Sequence, residues 1–368
     1  RRLGMHGYSI ELVVPSYLTF PSGKRKAYPK EEKDPPITFL QLEGSNARVQ
    51  LYKGLTSLLN LKMPKVVFMD FDPASLLAVK VGRWCFKNNS KLVCLSVENI
   101  SLDLLSSFKR RGWKSIVPTC IKKLFILVGR KNVSHVFNIN NDGLAIFRDL
   151  KFVSYSKTPV GFDETIFNDF PEKRAKIRKS LSLKRATIAY FGRTIPEKGI
   201  HILLHALKRI EHLPWDFMMD EFEEYRNPYS IELNAIIEEL ELRDRITFIH
   251  ADHVEIAAYM NASDIVVVPS LTSPKFKEQY GRVAPEAMAC KNAVLVSNSG
   301  ALPELVESAA IVFEEGNISE LADYLEELLG SDNLIDEYKN RAYQHAHEKL
   351  GLNSQLSIYT EKFGDLIR

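Results

Sequence analysis

Cysteine is scarce: the 368 residues hold four, Cys85, Cys94, Cys120 and Cys290, far apart and never as a CxxC pair. That spacing fits neither a zinc site nor a disulfide framework and points to a reducing compartment. Cys94, inside the apolar run Lys91-Leu-Val-Cys-Leu95, reads as a small core hydrophobe. Long apolar runs are missing too, since none approaches the roughly 20 residues that span a bilayer. The first residues do not resemble a signal peptide, so a soluble, cytoplasmic protein is expected. A dominant charge is also lacking. Forty-nine Lys and Arg oppose 46 Asp and Glu, and a net charge of +3 gives no argument for a nucleic-acid partner. There is no internal repeat and no low-complexity segment.

What is present is globular. At 45% hydrophobic and 26% charged, the composition supplies two cores, and the length exceeds one ordinary domain. Short β-rich runs alternate with amphipathic stretches, the pattern of an α/β fold with parallel sheets wound by helices. In the first half the expected strands are Ser9–Pro15, Ile37–Gln41, Val66–Phe71, Leu92–Val97, His135–Ile139 and Phe152–Ser154. Helices are expected at about 50–62, 74–87, 101–110, 115–129 and 141–149. The Lys-, Pro- and Gly-rich stretch at about 18–36 reads as a mobile loop. Thr158-Pro-Val-Gly-Phe-Asp163 closes this half. The boundaries predicted are therefore a first domain over 1–165, a second over 166–345, and a C-terminal helix over 346–368 packing back on the first. The second half reads charged helix 171–184, strand 187–191, helix 199–210, helix 227–241, strand 246–249, helix 254–261, strand 264–269, helix 281–290, strand 293–297, helix 302–307 and strand 311–313. Arg1 to Gly7 look like the end of a helix, whereas a doubly wound domain opens on a strand; an N-terminal strand outside this sequence is expected.

Three patterns carry chemistry. The first is Tyr190-Phe-Gly-Arg193-Thr-Ile-Pro-Glu-Lys198-Gly199, directly after a strand and opening a helix. A tight turn there aims backbone N–H groups and a helix N-terminus at the strand's C-terminal edge, an anion site. Arg193 and Lys198 add two charges that suit a diphosphate leaving group. The second is Glu278-Gln-Tyr-Gly281-Arg-Val-Ala-Pro-Glu286. Pro285 suits a first helical turn, which puts Glu286 near a helix N-terminus, where a carboxylate accepts hydrogen bonds from ribose hydroxyls. Gly281 permits close backbone approach. Against both stands the plain reading of solvated side chains on a loop and a capped helix.

The order Phe-Gly-Arg…Glu-Lys-Gly, then Glu-x7-Glu, then Ser299-Gly-Ala-Leu-Pro-Glu304 resembles family 4 of the retaining glycosyltransferases. The likeness is specific from Thr187 to about Leu329. It is looser in the first half, through Gly-Tyr-Ser-Ile10, Phe71-Asp-Pro73, Glu98-Asn-Ile100 and Pro159-Val-Gly-Phe-Asp163. The resemblance implies a GT-B fold, two Rossmann-like domains facing a cleft, and transfer of a sugar from a UDP- or GDP-linked donor to a glycan or lipid-linked acceptor. It implies retention of configuration and no metal or other cofactor. Gly192, Arg193 and Lys198 would hold the diphosphate and Glu286 the ribose. Glu278, with Tyr280, Gly281, Arg282 and Val283, would hold the donor sugar. The base would lie around His250 to His253. An inactive nucleotide-sugar-binding relative is the alternative; the complete Arg193, Lys198, Glu278 and Glu286 set speaks against it. Two departures stand out. Phe217-Met-Met-Asp-Glu-Phe222 replaces a Gly-rich turn, and Val97-Glu98-Asn99 replaces an expected histidine. Glu98 or Asn99 on the acceptor side, and a helix-capping Asn99, are both open readings.

The third pattern is basic and aromatic. Eight cations and no acid lie between Lys109 and Lys131, with Trp113 and Phe125 among them. Such a segment suits peripheral contact of 108–131 with an anionic membrane surface. It equally suits a solvated helical face.

Overall fold

The structure, a computed structural model, describes residues 2–20, 23–26, 34–44, 48–220, 228–250 and 255–368. The chain divides into two units: Arg1–Thr158 together with Leu356–Arg368, and Pro159–Gln355.

The first unit is built on a four-stranded sheet. Its order is Tyr155–Lys157, His135–Asn138, Lys91–Ser96, Val66–Met69, all parallel. Alternation along the strands sends side chains to opposite faces. Leu92, Cys94 and Val136 join one core with Ala78, Val81 and Trp84 of the helix Leu76–Lys87. Val93 and Phe137 point the other way and pack with Tyr359 and Phe363 of the helix Leu352–Ile367. The Phe137 and Tyr359 rings lie 4.7 Å apart. Helices therefore cover both faces, as a parallel sheet requires.

Three small pairings precede this sheet. Leu12–Pro15 runs parallel to Ile37–Leu40, and Leu42–Glu43 pairs antiparallel with Leu51–Tyr52. The stretch read as a mobile loop holds an antiparallel hairpin, Tyr17–Phe20 with Gly23–Lys26. Its lysines and glycine hid the alternation. The strand expected at 152–154 lies at Tyr155–Lys157 instead, and Phe152 is a buried core residue just before it.

The second unit holds six parallel strands in the order Ile246–Ile249, Trp215–Asp220, Ala186–Tyr190, Ile265–Val268, Ala293–Ser297, Ile311–Phe313. Counted along the unit this is 3-2-1-4-5-6, the Rossmann arrangement. Strands buried on both faces are near-continuous apolar runs; Ile265–Val268 and Ala293–Ser297 are buried throughout. The sequence order reverses between Ala186–Tyr190 and Ile265–Val268, and ligands of such sheets bind beyond the carboxyl ends at that point.

The opposite end of the same strands is held by charge. Asp264, buried just before Ile265, accepts from Arg174 Nη2 and Lys339 Nζ, each at 2.6 Å, from Arg178 Nη1 at 3.1 Å and from the Thr187 N–H at 3.0 Å. It ties the helices Pro171–Ser180 and Asp332–His345 to the sheet. Burial works to raise its pKa, but Lys339 and Arg174 outweigh that and hold it at about 2. No helix among the described residues is long and apolar enough to cross a membrane.

Candidate active site

Two loops leave the sheet at the reversal point. After Ala186–Tyr190 the chain passes Gly192 and Arg193, makes a short 3-10 turn at Pro196–Lys198, and enters the helix Ile200–Arg209. The buried Tyr190 hydroxyl donates to the Arg193 carbonyl at 3.0 Å and sets the turn. Gly199 has φ of +67°, and a Cβ there would overlap the Pro269 carbonyl oxygen. Glycine is thus what lets this loop lie against the one after Ile265–Val268. The Leu271 N–H completes the join, donating to the Glu197 carbonyl at 2.8 Å.

This contact brings Lys198 to Glu278, eighty residues away. Lys198 Nζ lies 2.5 Å from Glu278 Oε2, and Ser270 Oγ donates to the same oxygen at 2.9 Å. Their side chains are only 17% and 9% exposed. Lys198 is therefore held against a carboxylate rather than standing free in solvent; Arg193 alone of the two cations is exposed. The Ser299–Glu304 segment backs the carboxylate. The Ala301 N–H donates to the Glu278 carbonyl at 3.0 Å. Gly300, with φ of +57°, leaves no room for a Cβ against the Glu278 backbone.

Beyond Glu278, Tyr280 is buried, and burial raises its hydroxyl pKa. Gly281 packs against Leu302, which takes the space a Cβ would fill. Arg282 and Val283 open the helix Val283–Ala289, with Glu286 in its first turn. Glu286 is buried and is met by the exposed Arg282 Nη2 at 3.2 Å. Burial dominates over that cation and pushes the Glu286 carboxyl up to about 7. A carboxyl poised near neutrality in such a place is a recognisable mark of a functional site.

Asp220 is a site residue that sequence reading left without a role. It ends the strand Trp215–Asp220 next to the reversal point, and burial raises its pKa, the neighbouring Gly192 N–H acting the other way. The signal available was an acid at a strand's carboxyl end, where the relatives' Gly-rich turn was expected. His250 is exposed, and residues 251–254 of the expected base-binding stretch lie outside the described residues.

In the first unit Glu98 pairs with Lys122, and the Ile100 N–H donates to its Oε1 at 3.3 Å. Asn99 is buried and caps no helix. That role belongs to Asp103, which accepts from the Ser106 N–H at 2.8 Å ahead of Leu104–Arg111. Among the described residues no three His, Cys, Asp or Glu side chains are grouped to hold a metal ion.

The two Rossmann-like units define the GT-B class of α/β fold, which solved structures share at low identity. Sucrose-phosphate synthase from Thermosynechococcus elongatus superposes with a TM-score of 0.72 at 16% identity, over 99% of this chain and 90% of that one. Anabaena HepE, solved in complex with UDP, gives 0.71 at 20% identity over 90% and 86%. The family model of the glycosyl transferases group 1 matches residues 172–345. An uncharacterized glycosyltransferase of Methanocaldococcus jannaschii is 28% identical over 148 residues, 39% of this chain and 38% of the relative. D-inositol 3-phosphate glycosyltransferase of Paenarthrobacter aurescens is 26% identical over 216 residues, 57% of this chain and 51% of the relative. The chain thus spans between about a third and a half of the length of these relatives.

Proposed function

We propose that the protein is a retaining glycosyltransferase of family 4 that moves a sugar from a UDP- or GDP-linked donor to a glycan or lipid-linked acceptor. The observation that carries this reading is the pairing of Lys198 with Glu278 where the strand order of a Rossmann sheet reverses, with the buried Glu286 in the first turn of the helix that follows. The names of the similar proteins, among them glycosyltransferases and a neighbour bound to UDP, support it.

In this reading the diphosphate lies on the backbone of Gly192 to Lys198. Arg193 and Lys198 supply the positive charge that the leaving group needs, so the transfer uses no metal. Lys198 is shared between Glu278 and the diphosphate, which fixes the cation before the leaving group gains charge. Glu278 accepts hydrogen bonds from the donor sugar, helped by the backbone of Gly281 to Val283. Glu286 takes the ribose hydroxyls. Glu98 and Asn99 are the acceptor-side candidates of the first unit.

A pH dependence follows from the buried Glu286. Hydroxyl donors favour its ionised form, so ribose binding and proton release are linked. Nucleoside-diphosphate affinity is expected to rise with pH up to about 7, the value to which burial brings Glu286, and to level off above it. Hydrogen bonds to a charged group are worth about 1.5–3 kcal/mol, so Glu286→Gln should weaken binding roughly 10- to 150-fold above that pH. It should also remove this share of the pH dependence, leaving only the phosphate's own titration. Calorimetric titration of both proteins with UDP and GDP from pH 5 to 8 checks it. Unchanged affinity in the variant would reduce Glu286 to a helix-end carboxyl. Donor hydrolysis tests the activity itself, and tight nucleotide binding with no turnover on any acceptor would identify a binding protein.

A further inference from the structure

The helix Ile116–Gly129 of the first unit turns apolar side chains outward. Val117, Ile121, Leu124 and Val128 are exposed at a spacing that lines up along one face, and Thr119 and Ile126 on the opposite face are buried. The helix Leu104–Arg111 packs beside it, with Thr119 Oγ1 donating to Ser107 Oγ at 3.2 Å. It adds exposed Leu105 and Phe108, and the Trp113 ring, 79% exposed, meets Phe108 edge-on with centroids 5.0 Å apart. An apolar surface of this extent marks an interaction site.

The charge around it is mostly positive, Asp103 at the N-cap of Leu104–Arg111 being the exception. No acid lies between Lys109 and Lys131, and Lys109, Lys114 and Lys131 are exposed. Two of the eight cations turn away: Lys122 pairs with Glu98, and Arg130 donates to the Leu150 carbonyl at 2.6 Å. Phe125 is half-buried and supplies no anchor. A second copy of this face would set lysine against lysine. A surface with an apolar interior and an anionic skin satisfies both features.

We propose that the helices Leu104–Arg111 and Ile116–Gly129 form a docking face for an anionic lipid surface. The apolar stripe sits at the acyl boundary and the lysines lie among the headgroups. At about 1.5 Å per residue the fourteen-residue helix is about 21 Å long and lies in the plane of the surface. An enzyme held there meets acceptors displayed at a membrane; that consequence alone rests on the function proposed above.

Of the chain's three tryptophans only Trp113 is exposed, Trp84 and Trp215 being buried, so its fluorescence reports on this face. Titrating the full chain with vesicles of phosphatidylglycerol and phosphatidylcholine should blue-shift the emission and carry the protein into the pellet. Pure phosphatidylcholine should do neither. Each lysine at such a surface contributes about fivefold (about 1 kcal/mol), so the triple variant Lys109→Ala, Lys114→Ala, Lys131→Ala should weaken partitioning about 100-fold. Val117→Ser with Ile121→Ser and Leu124→Ser should abolish the blue shift with an unchanged melting temperature, because all three side chains are exposed. Raising salt from 0.1 M to 1 M shortens screening from about 10 Å to about 3 Å and should release the bound protein. Equal binding to both vesicle types, binding to neither, or a stripe variant that alters only self-association in sedimentation would overturn the proposal. Donor hydrolysis, measured on the same variants without vesicles, should be unaffected, which keeps this test separate from that of the activity.

Discussion

Lys198→Ala is expected to lower turnover by about two to three orders of magnitude, the scale for removing a preorganised charge stabiliser. The same change should also lower the melting temperature. Lys198 Nζ is the cation beside a Glu278 carboxylate that is 9% exposed, and its loss leaves Ser270 Oγ as the hydrogen-bond donor identified on that oxygen. A carboxylate left buried without its cation costs on the order of 2–3 kcal/mol. Adding Glu278→Gln should return most of the melting temperature and none of the activity. Arg193→Ala offers the contrast: that side chain is exposed, so turnover should fall comparably with little change in stability. Steady-state kinetics with thermal melts on the four proteins separate the two effects. Wild-type turnover in both single cation variants would sink the diphosphate assignment.

Asp264→Ala should be the most damaging single change to the fold. It would leave Arg174, Arg178 and Lys339 facing one another around an empty position, with the Thr187 N–H unbonded on that side. Breaking a buried ionic network by removing one member costs about 3–5 kcal/mol, a large share of a domain's total stability of about 5–15 kcal/mol. The acid dependence follows from its pKa, lowered from 3.8 to about 2 in the folded chain. A depressed carboxyl stabilises the fold above its unfolded value, and the contribution is lost as pH falls through the folded one. Urea unfolding should therefore show the gap between wild type and Asp264→Ala full at pH 7 and closing between about pH 4 and pH 2. A gap that stays constant across that window would mean the carboxylate's charge contributes nothing.

Period and punctuation made much of this architecture legible. The strands Ile246–Ile249, Ala293–Ser297 and Ile311–Phe313 fall where apolar β-branched runs end in polar residues. Buried parallel strands declare themselves this way because both faces need apolar side chains. The hairpin of Tyr17–Phe20 with Gly23–Lys26 did not, since the lysines and glycine of Gly23-Lys-Arg-Lys26 show no apolar alternation. The candidate site was legible as residue types and loops, but its pairing was not. Nothing local in Glu-Lys198-Gly foretells that Lys198 meets Glu278; the partner is selected by strand order and by the space that Gly199 leaves. The charged helix 171–184 gave no sign of an acceptor for Arg174 and Arg178 for the same reason, as Asp264 lies about ninety residues on. The docking face shows the converse failure. Charge marked the segment, yet the apolar stripe that gives it shape reads as ordinary core periodicity until burial is known.

The return of Leu356–Arg368 to the first unit has a consequence for synthesis on the ribosome. The second unit is one uninterrupted stretch, Pro159–Gln355. The first unit, although made earlier, lacks Tyr359 and Phe363 until nearly two hundred further residues have been translated, so one face of its sheet, with Val93 and Phe137, waits uncovered. That face of the first unit is therefore completed only after the whole of the second unit has been translated.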